Sequence, residues 1–391
     1  MVKSMKLSNF LSFGSDSEEI ELLPLNVIIG ANGSGKSNFL EAFDLLRSAP
    51  SDITNPIRIG GGVSDWIFKK REGGSRTKLD FVLRNTLPES KYDLRYVFSF
   101  DDVSRKFELV DEKIESEKPL KGETNPYIIY DYSNGKPVIN MAGGEKRKLT
   151  REDIDTEQSI LSQKRDSFHY PEITYLANRF SKIRMYREWS FGRFTPCRLP
   201  QKVDLRNDFL EADGSNLGLV LNHMRNHLPT KDKILCELKA FYGDVVDYEV
   251  TLESSQAQIF FQEQGFDSSI PATRLSDGTL RYLCLLAILC NPNPPPLICL
   301  EEPELGMHPD IIPEIARLLK ETSRKCQLVV TTHSEILVDA LTDMPETIIV
   351  AEKMDGGTKL ERLKADKLKL WLEEFRLGKL WSRGDIGGNR W

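Results

Sequence analysis

The chain has 391 residues, and its 53 Lys and Arg against 59 Asp and Glu leave a net charge of −6. That balance excludes a surface coated with basic groups for nucleic acid and confines any such contact to a local patch. No apolar run reaches the length that spans a bilayer, so a membrane role is not expected. The six cysteines, Cys197, Cys236, Cys284, Cys290, Cys299 and Cys326, show no paired metal-ligand spacing, and Cys284, Cys290 and Cys299 sit in apolar runs where a thiol behaves as a small hydrophobe; a reducing, cytoplasmic setting is expected.

In chain order, Met5-Lys6-Leu7-Ser8-Asn9-Phe10 reads as an opening strand and Leu25-Asn26-Val27-Ile28-Ile29 as a buried one. The latter runs into Gly30-Ala31-Asn32-Gly33-Ser34-Gly35-Lys36-Ser37, followed by a helix with apolar residues at helical spacing over 37–46. A Gly-rich turn between strand and helix points consecutive backbone N–H groups at a polyanion, and the helix adds the positive end of its dipole. Asn32, Gly33, Ser34 and Gly35 are expected to line a triphosphate, with Lys36 reaching the β- and γ-phosphates and Ser37 holding Mg²⁺.

Residues 78–84, 92–100 and 106–110 alternate with the two-residue period of half-buried antiparallel strands. Asn134-Gly135 and Asp355-Gly356-Gly357 fit hairpin turns, and the charged stretches 112–123 and 143–157 are expected to be mobile. Gln158 is a candidate for sensing Mg²⁺ and γ-phosphate, on no signature beyond the glutamine itself. Residues 179–206 depart from the acidic average: Arg179, Lys182, Arg184, Arg187, Arg193, Arg198, Lys202 and Arg206 are interleaved with Tyr186, Trp189, Phe191 and Phe194. This segment is open between a nucleic-acid surface, a solvated helix and loop, and a docking site for an acidic protein. Helices over 215–228 and 231–242 and strands over 245–261 follow, with no sustained heptad repeat.

Leu275-Ser276-Asp277-Gly278-Thr279 precedes the apolar helix 280–289. Its backbone donors face an anion or are simply capped by Ser276 and Asp277. Leu297-Ile298-Cys299-Leu300 is a core strand that delivers Glu301 and Glu302 at its carboxyl end, where open α/β sheets place ligands. Two adjacent acids repel unless a cation or a shared proton takes up the charge; Glu301 is therefore expected to hold Mg²⁺ through water, and Glu302 to act as the base that orients the attacking water. His333 follows the apolar strand 327–332, and the chain continues as two strands, a helix over 368–375 and a Trp- and Gly-rich tail.

Taken together, these motifs resemble the ABC-type ATPases of the SMC, RecF and OLD kind, and more closely the stand-alone bacterial and archaeal ATPases, labelled AAA-family but ABC-like in architecture, that occur in phage-defence and toxin-type operons. The resemblance covers most of the chain. It implies that 275–279 is a variant of the LSGGQ signature, that Glu301-Glu302-Pro303-Glu304-Leu305-Gly306-Met307-His308-Pro309 is the Walker B and D-loop region, and that His333 is the switch histidine. Glu301 replaces the usual Asp, and Asp277 the second signature Gly. The implied fold is an α/β ABC-type ATPase head: a phosphate-loop core with a mixed sheet, a flanking antiparallel β-subdomain and a helical signature-bearing lobe, with no long coiled coil. Within the head, residues 1–342, the implied segments are 1–140, 141–290 and 291–342, and 343–391 form a C-terminal extension.

The implied mechanism is a homodimer or higher homo-oligomer sandwiching ATP and Mg²⁺, in which Ser276 and the N–H groups around Gly278 of one copy close over the γ-phosphate held by Lys36 of the other. OLD nucleases carry a Toprim domain after such an ATPase, and the residues following His333 here offer no room for one. The expected role is therefore an ATP-hydrolysing sensor or regulatory subunit acting on a separate effector, a Toprim-like nuclease or another toxin. The alternative is a RecF-like repair ATPase that binds DNA directly.

Overall fold

The computed structural model describes residues 1–70, 76–88, 90, 92–133, 135–140, 146–148 and 154–389, the stretch 146–148 as backbone only. The chain divides into two compact units: Met1–Ile183 with Met344–Phe375 and Leu380–Trp391, and Arg184–Asp343 with Arg376–Lys379. This division differs from the linear segmentation read from the sequence, because the C-terminal strands return to the first unit by pairing.

In the first unit, β1 (Val2–Ser8), β2 (Ile20–Glu21), β4 (Thr77–Leu83), β5 (Leu94–Val103), β6 (Lys106–Pro119), β7 (Pro126–Ser133), β8 (Lys136–Asn140) and β9 (Lys146–Lys148) form an eight-stranded sheet in the order β2-β1-β4-β5-β6-β7-β8-β9. Every neighbouring pair is antiparallel. The alternation read from the sequence is the burial pattern of β4, with Leu79, Phe81 and Leu83 buried and Lys78 exposed.

Against expectation, the charged stretch at 112–123 begins inside β6. Glu112 is buried; it accepts hydrogen bonds from Tyr96 Oη (2.7 Å), Ser159 Oγ (2.5 Å) and the Ile160 N–H (2.9 Å), and so fastens the segment after Gln158 to the sheet. Asn134 of the expected turn and residues 143–145 and 149–153 of the second charged stretch lie outside the described residues.

Separately in this unit, β3 (Leu25–Ile29) is buried at all five positions and pairs in parallel with β17 (Ile348–Met354), which turns back through Asp355-Gly356 into β18 (Gly357–Arg362). The apolar spacing after the phosphate loop becomes α1 (Lys36–Ser48), with Phe39, Leu40, Phe43 and Leu46 buried; α2 (Thr54–Ile59), α3 (Val63–Trp66), α4 (Ile160–Gln163), α5 (Pro171–Phe180) and α11 (Ala365–Glu374) complete the unit. The tail closes onto β17: the Gly388 N–H donates to Glu352 Oε1 at 2.9 Å, and Asn389 donates to the Trp381 carbonyl.

The second unit holds a parallel ladder, β10 (Arg184–Tyr186), β15 (Leu297–Glu301) and β16 (Gln327–Thr331), and an antiparallel group of β11 (Gln201–Lys202), β12 (Val245–Glu253), β13 (Gln256–Glu263) and β14 (Ile270–Pro271). Its helices are α6 (Leu217–Arg225), α7 (Leu228–Phe241), α8 (Asp277–Leu289), α9 (Ile312–Ser323) and α10 (Glu335–Asp339). All residues of α8 from Thr279 to Leu289 are buried, so a nearly all-apolar helix lies in the core rather than on its edge. The longest described helix, α7, has 14 residues, about 21 Å at 1.5 Å per residue, which leaves no long coiled coil among the described residues. None of the described helices is long and apolar enough to cross a membrane.

Candidate functional site

In the first unit the chain leaves β3 at Ile29 and turns through the phosphate loop into α1. Two glycines are required there. At Gly30 (φ 154°) a Cβ would lie 2.3 Å from the Ala351 carbonyl oxygen, and at Gly35 (φ 101°) it would lie 2.2 Å from Thr358 Oγ1. Lys36 Nζ donates to the carbonyls of Gly30 (2.8 Å) and Ala31 (3.2 Å), and the Thr358 hydroxyl donates to the Ser34 carbonyl at 2.9 Å.

The loop fits a triphosphate. No side chain caps α1, so its first N–H groups face outward, and Ser34 Oγ is buried without a hydrogen-bond partner. Asn32 and Gly33 are exposed at the crest, and Ser37 is exposed at the helix start, where a nucleotide-borne Mg²⁺ would meet its hydroxyl. Among the described residues no group of three His, Cys, Asp or Glu side chains could hold a metal. Gln158 belongs to this unit; its Nε2 donates to Asp52 Oδ1 at 3.2 Å, while its Oε1 is buried without a partner.

In the second unit, β15 and β16 run in parallel with Glu301 opposite Thr331, so Glu302 and His333 emerge side by side at the carboxyl ends. Glu302 has the left-handed φ of 45°, disfavoured for a residue with a side chain by roughly 1–2 kcal/mol; its N–H donates to the Thr331 carbonyl at 3.0 Å, which holds that conformation. Backbone strain of this kind gathers at functional sites. The turn brings Glu302 Oε1 to 3.4 Å from His333 Nε2, both side chains about one-third exposed.

Glu301 faces the other way. The register of β10 on β15 puts Arg187 beside it, and Arg187 Nε donates to Glu301 Oε2 at 2.9 Å while Trp189 Nε1 donates to the Glu301 carbonyl at 3.0 Å. The cation that the sequence demanded at this acid pair is, in the structure, first of all a guanidinium.

The signature turn opens α8. Ser276 is its N-cap, with Oγ accepting from the Thr279 N–H at 3.0 Å, and Ser276 and Asp277 are exposed at the tip. Behind the tip lies Arg198, with a side chain only 7% exposed; it donates to the carbonyls of Ala272 (3.3 Å), Thr273 (3.4 Å) and Leu275, and to Asp277 Oδ1. Arg281, one turn into α8, stacks over Trp189 and Phe191, with Cζ 5.7 and 4.7 Å from the ring centroids, and donates to the Trp189 carbonyl at 3.3 Å.

Much of the basic segment at 179–206 is therefore engaged within its own unit. Arg187 and Arg198 serve the acid pair and the signature turn, Arg184 lies over Phe209, and Arg206 pairs with Asp208. Arg198→Ala leaves five acceptors without their donor, the Gly192 carbonyl at 3.1 Å being the fifth. It is expected to destabilise the fold by about 2–4 kcal/mol, the exposed Asp277 adding little, as read by urea unfolding.

The sequence reading also passed over Glu304, which is buried against the Thr332-His333 backbone. Neither Glu304 nor Arg187 carries a local signal, because their partners lie 28 and 114 positions away, and Arg198 meets the signature turn across 74 to 79 positions.

The family model described as "AAA domain, putative AbiEii toxin, Type IV TA system" matches residues 25–339. No curated protein matches the chain. Among solved structures it is similar to an SMC head bound to the C-terminal winged-helix domain of ScpA (16% identity, TM-score 0.57, covering 94% of this chain and 99% of that one). It is also similar to an SMC head with an extended coiled coil bound to the C-terminal domain of ScpA from Pyrococcus furiosus (15%, 0.56, 95% and 98%), and to an SMC head with a coiled coil and joint from Pyrococcus yayanosii (12%, 0.52, 95% and 99%). At these identities the likeness shows the fold, an ABC-type ATPase head.

Proposed function

The chain belongs to the AAA-domain family described as a putative AbiEii toxin of type IV toxin–antitoxin systems, and from that premise we propose that this P-loop ATPase hydrolyses ATP with Mg²⁺, associates in pairs around the nucleotide, and regulates a separate effector in a toxin-type antiviral system. Lys36 and the loop N–H groups bind the phosphates. Ser37 and Glu301 serve the Mg²⁺, Glu302 takes the proton of the attacking water, and His333 orients Glu302. Ser276 and the N–H groups around Gly278 meet the γ-phosphate of a second copy. Gln158 remains part of the proposal as a Mg²⁺ sensor reached from the α2 side.

One observation carries the catalytic part: a carboxylate held in left-handed backbone beside a histidine, at the carboxyl end of a buried parallel strand. Left-handed backbone at a residue that carries a side chain clusters at active sites, which supports a working role for this carboxylate. The effector reading draws on the family description and on the ScpA domains bound to similar heads, which illustrate that this fold docks partner proteins. Direct binding of DNA draws less support, since arginines of the basic segment hold the acid pair and the signature turn.

The test is phosphate release together with light scattering. The protein is expected to turn over MgATP and to double its mass with ATP but not with ADP. A protein that releases no phosphate and stays monomeric at saturating ATP rejects the reading.

A further inference from the structure

The segment Glu301-Glu302-Pro303-Glu304 spends three carboxylates within four positions, and the proposed chemistry uses two of them. The third, Glu304, is 9% exposed, and its Oε1 accepts two hydrogen bonds from the neighbouring strand end, from Thr332 Oγ1 at 2.5 Å and from the backbone N–H of His333 at 3.1 Å. Its Oε2 is buried without a hydrogen-bond partner. Burial, with a smaller contribution from the charge of Glu302, holds its carboxyl above the usual carboxylate range.

An acid placed in this way cannot serve as a solvent-facing base, and a buried oxygen without a partner is costly. What it does do is geometric. The turn after β15 also places Glu302, and the loop after β16 also places His333, so one carboxyl oxygen two residues beyond Glu302 ties the two loops together.

We propose that Glu304 is a positioning residue that fixes the distance between Glu302 and His333 by clamping the Thr332-His333 backbone to the acid loop. The inference rests on the proposed ATPase chemistry for its kinetic consequence but not for its structural one. Because Oε1 carries both bonds, a glutamine that offers its amide oxygen at that point preserves the clamp, and an alanine removes it.

The experiment compares Glu304→Ala and Glu304→Gln with the parent by steady-state MgATP hydrolysis and by two-dimensional NMR of the histidine rings. The chain has five histidines, and the His333 signals are assigned by their loss in His333→Ala. Glu304→Ala is expected to lower kcat by about 10- to 100-fold, the scale of losing alignment at a reacting centre, with KM for ATP held within about twofold because the phosphate loop is untouched, and to move the His333 ring signals. Glu304→Gln is expected to keep the parent kcat within about threefold and the His333 signals in place.

Should Glu304→Ala fail to fold by circular dichroism, Thr332→Val, which removes one of the two donors, takes its place with the same displaced His333 signals and a smaller fall in kcat. Unmoved His333 signals in a folded Glu304→Ala or Thr332→Val variant overturn the proposal. So does a Glu304→Gln variant as slow as Glu304→Ala. A parent that hydrolyses no ATP overturns the ATPase reading alone, because the His333 signals still decide whether Glu304 clamps the loop.

Discussion

Glu302→Gln is expected to leave ATP binding intact and to lower the hydrolysis rate by roughly 10²- to 10⁴-fold, the range lost when a positioned proton acceptor is removed. The argument is local. Glutamine keeps the length and shape of glutamate, so the left-handed turn at Glu302, fixed by its N–H to the Thr331 carbonyl, and the close approach to His333 Nε2 can both persist. What disappears is an oxygen able to take a proton from water. A substitution that spares geometry and removes basicity separates chemistry from folding, so the thermal midpoint should stay with the parent while single-turnover phosphate release slows. If ATP joins two copies, the same variant should hold them together, visible as a dimer by light scattering that lasts as long as the nucleotide is uncleaved. A Glu302→Gln variant that releases phosphate at the parent rate removes Glu302 from the role of base.

The parts of this site that were legible in the sequence are those whose physics is contiguous. A buried strand, a Gly-rich turn and an amphipathic helix in direct succession specify the phosphate loop, and the structure shows why: φ values of 154° at Gly30 and 101° at Gly35 sit where a Cβ would collide with Ala351 and Thr358. The apolar strand ending in Glu301 and Glu302 and the nearly all-apolar α8 were legible for the same reason. The basic segment was not. Arginine interleaved with aromatics has the same composition whether it faces a phosphodiester or a carboxylate of its own chain, and the choice lies in partners far along the sequence. The charged stretch at 112–123 likewise looked solvated until Glu112 met Tyr96 and Ser159 in the core.

The two departures from the family pattern acquire a common physical account. Glu301 stands where an Asp is usual and Asp277 where a Gly is usual; both are carboxylates, and each meets an arginine of the same segment, Arg187 at Glu301 and Arg198 at Asp277. The extra methylene of Glu301 gives reach toward Arg187 Nε, and the carboxylate of Asp277 completes the acceptor set of an arginine that otherwise serves only carbonyls. Trp189, between those arginines, adds a bond to the Glu301 carbonyl and a face for Arg281. One short stretch therefore touches the acid pair at one end and the signature turn at the other, so a change in charge at Glu301 has a contiguous set of contacts along which to be felt at α8.

Lys36→Ala carries the other large effect. In the structure the ammonium is buried and held by the carbonyls of Gly30 and Ala31, which keeps a positive charge at the mouth of the loop at the cost of desolvating it. Charge-assisted contacts to phosphate contribute about 1.5–3 kcal/mol each, and two of them correspond to roughly 10²- to 10⁴-fold in affinity. Removing the side chain takes away those contacts together with the desolvated charge, so the two effects on the protein part company: nucleotide binding should be lost, while stability without nucleotide should hold or rise. Thermal unfolding with and without MgATP measures both at once. The parent midpoint should climb with ATP concentration as mass action requires, and the Lys36→Ala variant should show the parent midpoint or a higher one and no climb. A variant that still shifts with ATP by as much as the parent would mean that the loop amides bind the triphosphate without the lysine.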